Sequence, residues 1–160
     1  MKNLLIAFAI VGSCAAQSVA QSVTNVVSAR NPFYGNRLFS VCYTNRGITW
    51  DEAANLARSR GGSLAPISNY NNFVWMRNAF GGHLTNTLAW TGIFAVRPTY
   101  QYSRWYNVDG SSGDFISTMI PWNNRSATAQ KEDRGHFWYD GLLNDISSSS
   151  TLPRGFVMVQ

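Results

Sequence analysis

Two glycine pairs, Gly61-Gly62 and Gly81-Gly82, confine the helix-forming stretches of this chain to its first half. Ahead of the first pair, Thr49-Trp50-Asp51-Glu52 has the form of a capping box, in which Thr49 accepts from early helical amides and Glu52 reaches back. Ala53, Leu56, Ala57 and Arg60 follow at helical spacing, and Gly61-Gly62 is expected to stop that helix. A second helix is expected over 71–80, with Phe73, Met76 and Phe80 on one face and Gly81-Gly82 at its end. Beyond it the pattern changes to short aromatic runs. Residues 88–94, 102–108, 136–139 and 156–159 read as strands, with turns at Asp109-Gly110, Ser112-Gly113 and Asp140-Gly141. Residues 33–43 and 63–67 read as strands too, Pro66 placing the second at an edge or terminus. Early helices followed by strands and loops imply an α+β fold.

At 160 residues the chain suits one domain. Its first residues run from Lys2 through the apolar stretch 4–11 to small residues at 12–16. That stretch is too short to span a bilayer and reads as a signal peptide over 1–16, with cleavage after Ala16 or as late as Ala20. No later segment is apolar and long enough to be a transmembrane segment, so a secreted, extracellular protein is expected. Val11-Gly12-Ser13-Cys14 offers a second outcome, a lipid anchor through Cys14. Residues 17–32 are polar and β-branched and are expected to form a leader, with the domain proper over 33–160.

The formal charge is +5. It is carried by arginines scattered along the chain, a pattern that speaks for solubility and against nucleic acid as a partner. With Cys14 removed, Cys42 stands alone, so no intramolecular disulfide can form and the aromatic core must hold the fold. Strand alternation sets Leu38, Ser40 and Cys42 on one face, where Cys42 reads as a buried small hydrophobe. His83 and His136 have no ligand-like spacing with each other or with Cys42. No phosphate loop or serine-nucleophile motif is present, so an enzyme is not expected. Trp90, Trp105, Trp122 and Trp138 read as core.

The order of these pieces resembles C-type lectin-like domains. Thr49 to Ala54, then Arg58-Ser59-Arg60-Gly61-Gly62-Ser63-Leu64-Ala65, is similar to their first helix and second strand. Ala89-Trp90-Thr91-Gly92-Ile93 looks like their central strand, and Trp105 with Asp109-Gly110-Ser111 like the opening of their long loop. Pro121-Trp122-Asn123-Asn124, Asn144-Asp145 and Phe156-Val157 complete a set that covers about 33–160. The resemblance implies a double-looped fold with two helices, small antiparallel sheets and a binding site on a long loop. The family's disulfides are missing: Arg60 precedes Gly61, and serines at 148–150 stand where a cysteine is expected.

The resemblance also implies a site that binds carbohydrate, free or on a glycoprotein, through Ca2+. Sugar-binding members carry a Glu twelve positions before their Asn-Asp, which matches Glu132 and Asn144-Asp145. Those three residues are the expected metal ligands, and calcium takes six to eight oxygens from such groups. Eight positions before Glu132, the family's Glu-Pro-Asn or Gln-Pro-Asp is replaced by Asn124-Arg125-Ser126. Asn124 and Ser126 can still offer oxygen to a sugar. One carboxylate is lost and Arg125 adds positive charge, so calcium dependence should be weakened, unless Asp133 is recruited. The same triplet is an N-glycosylation sequon at Asn124. The alternative reading is a calcium-independent lectin-like fold that binds protein or another surface. Read without the resemblance, Asn144-Asp145 is turn chemistry. The sequence leaves the sugar and the oligomeric state open.

Overall fold

The computed structural model describes residues 21–85, 87–96, 104–113 and 132–160. In chain order they form β1 (Val23–Asn31), β2 (Arg37–Thr44), α1 (Trp50–Ser59), β3 (Ser63–Leu64), α2 (Tyr70–Leu84), β4 (Ala89–Val96), β5 (Arg104–Asn107), β6 (Arg134–Phe137), β7 (Leu143–Ile146) and β8 (Gly155–Val159). The strands run β1-β2-β8-β4-β6-β7 across one mixed sheet, with β3 on β8 and β5 on β4. A short parallel pairing, Ala89↔Gly155 and Trp90↔Phe156, joins the antiparallel set at the chain ends to the antiparallel set that carries the second half. The architecture is α+β, as the sequence predicts.

The capping box forms as expected. Thr49 Oγ1 accepts from the Glu52 N–H at 3.2 Å and Glu52 Oε2 accepts from the Thr49 N–H at 2.8 Å. Gly61, at φ 78°, takes the left-handed conformation that ends α1. The expected stop of the second helix is corrected. α2 runs through Gly81-Gly82 to Leu84 and is capped at Thr85, whose N–H bonds the Gly81 carbonyl. Each helical glycine costs about 1 kcal/mol relative to alanine. Burial of both Phe80 and Leu84 outweighs that cost.

The leader is corrected as well. Residues 23–31 pair along β2 from Val23↔Thr44 to Asn31↔Arg37 and form the edge strand β1. The strand expected over 33–43 accordingly begins at Arg37, because 32–36 make the hairpin turn. Gly35 and Asn36 adopt left-handed φ values of 58° and 56° there, a turn signal set among the aromatic residues Phe33, Tyr34 and Phe39. The strand expected over 63–67 shortens to two residues. Asn107 Oδ1, not a strand partner, accepts from the Ile67 N–H at 2.8 Å.

Alternation along β2 and β8 sorts the core onto the two sheet faces. Phe39, Val41, Val157 and Val159 join Phe73, Met76 and Phe80 of α2. Cys42, Phe156, Met158 and Trp90 join Ala53 and Ala57 of α1 on the other side. With both faces covered, β8 is buried throughout. Cys42 is fully buried, and burial pushes its thiol pKa up to about 11. Trp90 and Trp105 are core, as expected, whereas Trp138 is half-buried. Trp122 lies outside the described residues.

Candidate functional site

The hairpin of β6 and β7 carries most of the residues that the sequence singles out. It turns at Asp140-Gly141, and its register sets Phe137 opposite Leu143, His136 opposite Asn144, Gly135 opposite Asp145 and Arg134 opposite Ile146. Asn144 and Asp145 therefore sit in a strand and not in the turn itself. β7 ends the strand order, so one of its sides has no strand partner among the described residues.

Pleating divides the expected ligands. Asn144 lies on the face of His136 and Ile146, toward Trp90, while Asp145 lies on the face of Leu143 and Phe137. Glu132 precedes β6 and continues the alternation on the Asn144 face. It stands four residues along the strand from Asn144's partner His136, about 13 Å at ~3.3 Å per residue. One ion holding all three would have to sit around the side of β7 away from β6. Asn124 and Ser126 lie outside the described residues, as does Arg125.

The neighbouring acid is engaged. Asp133 pairs with the Arg134 guanidinium at 3.0 Å, and its Oδ1 accepts from the Ser148 N–H at 3.1 Å. Arg134 in turn lies 4.8 Å over the Trp50 ring and 5.7 Å over Phe94. This clamp ties β6 to the segment after β7 close to where the family's cysteine is missing. Both Asp133 oxygens are thereby engaged by groups of the fold.

Glu132 Oε2 and Asn144 Oδ1 are buried and have no hydrogen-bond partner among the described residues. Burial raises the Glu132 carboxyl pKa, because its charge is partly stripped of water. His136 is wholly buried, neither ring nitrogen has a partner among the described residues, and burial holds its pKa down to about 3. Its ring packs edge-on against Trp90 at 5.7 Å and Trp138 at 5.8 Å. Trp138 in turn contacts Tyr139, which is 53% exposed. Sequence reasoning missed this neighbourhood of Asn144. Counting outward from a two-residue turn at Asp140-Gly141 sets 136 opposite 145, whereas the observed register, with Trp138 paired to Leu142, is one residue off that count and sets it opposite 144.

These groups fit a calcium ion in part. Glu132 and Asn144 offer oxygens that lack partners, and a cation would offset the desolvated carboxylate. Among the described residues no cluster of three or more His, Cys, Asp or Glu could hold a metal ion, so the set falls short of a full oxygen shell.

No protein-family model and no curated protein sequence matches this chain. Solved structures do. The carbohydrate-recognition domain of the mouse scavenger receptor C-type lectin aligns over 76% of this chain and 87% of its own, with 17% identity and a TM-score of 0.50. A calcium-independent type II antifreeze protein aligns over 86% of this chain and 95% of its own, with 16% identity and a TM-score of 0.58. A Ca2+-dependent type II antifreeze protein in its Ca2+-free form aligns over 76% and 91%, with 19% identity and a TM-score of 0.54. The chain has the C-type lectin-like fold. Its neighbours of that fold are lectin-like domains that include both calcium-dependent and calcium-independent proteins. Among the described residues, no helix is long and apolar enough to cross a membrane.

Proposed function

We propose that this chain is an exported carbohydrate-recognition module with weakened calcium dependence, residues 1–16 serving as its signal peptide. Its ligand is a carbohydrate, free or on a glycoprotein, bound beside the β6–β7 hairpin. The observation that carries this reading is the pair of buried, unpartnered oxygens, Glu132 Oε2 and Asn144 Oδ1, on one face of that hairpin. An unmet buried acceptor costs about 1–3 kcal/mol, and a sugar hydroxyl donating to it removes that cost. Where calcium is bound, Glu132, Asn144 and Asp145 would hold it, and its charge would offset the desolvated carboxylate and attract neighbouring hydroxyls. Asn124 and Ser126 would add oxygens from the preceding segment.

A second reading, calcium-independent binding of a protein or another surface, draws on two observations. Asp133 is held by Arg134 and Ser148, and a calcium-independent protein of this fold aligns over 86% of the chain. A glycan array read with and without calcium, beside a calcium melting titration, separates the two. We expect glycan binding in both conditions. Calcium near its dissociation constant should stabilise the chain by about 0.4 kcal/mol, the mass-action value, and Asp145→Ala should abolish that shift. An array blank in both conditions overturns the carbohydrate reading and leaves the second.

A further inference from the structure

The root of the β6–β7 hairpin is knotted to three other parts of the chain through two adjacent residues. The Asp133 carbonyl accepts from the Ala95 N–H of β4 at 2.9 Å and from Arg134 Nη1 at 2.9 Å. Its carboxylate takes Arg134 Nη1 on one oxygen and the Ser148 N–H on the other. Ser148 carries the circuit on to α1, its carbonyl accepting from the Trp50 N–H at 3.2 Å. Trp50 Nε1 donates to the Thr91 carbonyl of β4 at 2.9 Å. The circuit closes where the Arg134 guanidinium lies 4.8 Å over the Trp50 ring.

The oxygens that await a sugar flank this knot. Glu132 immediately precedes Asp133, and Asn144 lies four residues before Ser148. Phe137 and Leu143 seat the hairpin in the core beside α2, on the face opposite Asn144. On the Asn144 face, Glu132 Oε2, Asn144 Oδ1 and both His136 nitrogens make no hydrogen bond among the described residues. Their placement is therefore inherited from the strands that carry them. Arg134 stands between Glu132 and His136 on that face, opposite Ile146 of β7. The side chains of Arg134 and Asp133 are only 19% and 18% exposed, so water and salt compete with their pairing less than at an open surface.

We propose that Arg134 is a positioning residue, which holds the hairpin root so that Glu132 and Asn144 meet one carbohydrate together. The inference rests on the carbohydrate reading above and adds the residue that sets the geometry of that site. Groups that act on one ligand must be held to within about 0.5 Å by side chains that are themselves locked. A guanidinium suits the task, because its plane stacks on Trp50 while its N–H groups reach the Asp133 carbonyl and carboxylate at once. A lysine ammonium keeps the charge but has neither the plane nor the fork.

The test measures affinity for the array glycan that wild type binds most tightly, at a temperature where circular dichroism shows each variant folded. Arg134→Leu should weaken binding at least tenfold, and Arg134→Lys should recover part of that loss. Trp50→Leu, which removes the ring beneath the guanidinium, should weaken binding severalfold. Asn72→Ala strips a hydrogen-bonded amide from between β1 and α2. It should melt lower than wild type yet bind within twofold of it. Should Arg134→Leu fail to fold, Arg134→Lys and Trp50→Leu carry the test, each against Asn72→Ala. Binding by Arg134→Leu within twofold of wild type overturns the inference and leaves the carbohydrate reading standing. Equal losses in Arg134→Leu and Asn72→Ala overturn it too, because stability alone would then govern affinity. An array that is blank for wild type overturns the carbohydrate reading and this inference with it.

Discussion

The framework beneath the two helices and the β6–β7 hairpin treat buried polar groups in opposite ways. In the framework they are answered. Asn72 donates to the Pro66 carbonyl at 3.0 Å while accepting from Asn31, and Trp90 Nε1 donates to the Ile48 carbonyl at 2.8 Å. Asn107 brackets Ile67, accepting from its N–H at 2.8 Å and donating to its carbonyl at 3.2 Å. In the hairpin Glu132, Arg134, His136 and Asn144 all hold buried polar atoms without hydrogen-bond partners among the described residues. Among the described residues outside the hairpin, Gln21 Nε2 is the only such atom. Among the described residues, buried polar groups are answered in the framework and open in this one hairpin, and that contrast is what supports the ligand site proposed there.

The largest expected effect lies on the framework side. Asn107→Ala strips the partners from both backbone groups of Ile67 in a buried position. The loss should be about 3 kcal/mol, read from the midpoint of urea unfolding at unchanged slope. A loss below about 1 kcal/mol would show that water replaces the amide, and the framework would then be no better satisfied than the hairpin.

The sequence made the framework legible because its signals are local. The capping box, the 49–59 helix and the face carrying Phe73, Met76 and Phe80 follow from spacing alone. Where tertiary packing overrides a local rule, the reading fails. Gly81-Gly82 reads as a stop, but burial of Leu84 carries α2 through it. Residues 23–31 read as a leader because an edge strand with one exposed side lacks a clean apolar pattern. The placement of the candidate site was legible in part. The spacing of Glu132 and Asn144-Asp145 located the hairpin, but the division of Asn144 and Asp145 between two faces depends on strand pairing. His136 gave no signal because its meaning comes from its cross-strand partner and from Trp90, far apart in sequence.

A pH titration sharpens the contrast from the hairpin side. Folded His136 holds its pKa near 3, against about 6.5 for an unfolded chain, because burial disfavours the imidazolium. Between those values the unfolded state binds the extra proton. Stability should therefore be full above pH 6.5 and fall as pH drops below it. By pH 5 the loss should be about 2 kcal/mol. The groups around the ring are Trp90, Trp138 and the Asn144 amide, and none carries charge. His136→Phe should flatten this slope between pH 7 and pH 5 in calcium-free buffer, as followed by unfolding curves. If variant and wild type share one slope, the imidazole is satisfied in solution as framework groups are, and the contrast weakens.

The smallest expected effect on stability is the most telling. Asn144 resembles Asn107 in chemistry and differs in having an Oδ1 that nothing among the described residues answers. Removing an acceptor that makes no hydrogen bond forfeits no bond and relieves its desolvation cost, while the lost side-chain packing offsets that gain, so Asn144→Ala should change unfolding free energy by less than about 0.5 kcal/mol. The same substitution should erase glycan binding, since it takes away one of the two oxygens that await a sugar hydroxyl. Stability kept and binding lost is the combination that a framework residue cannot produce. Should Asn144→Ala cost about as much as Asn107→Ala, Asn144 would be a structural residue of β7. The sugar contacts would then have to be sought at Glu132 and in the segment that carries Asn124 and Ser126.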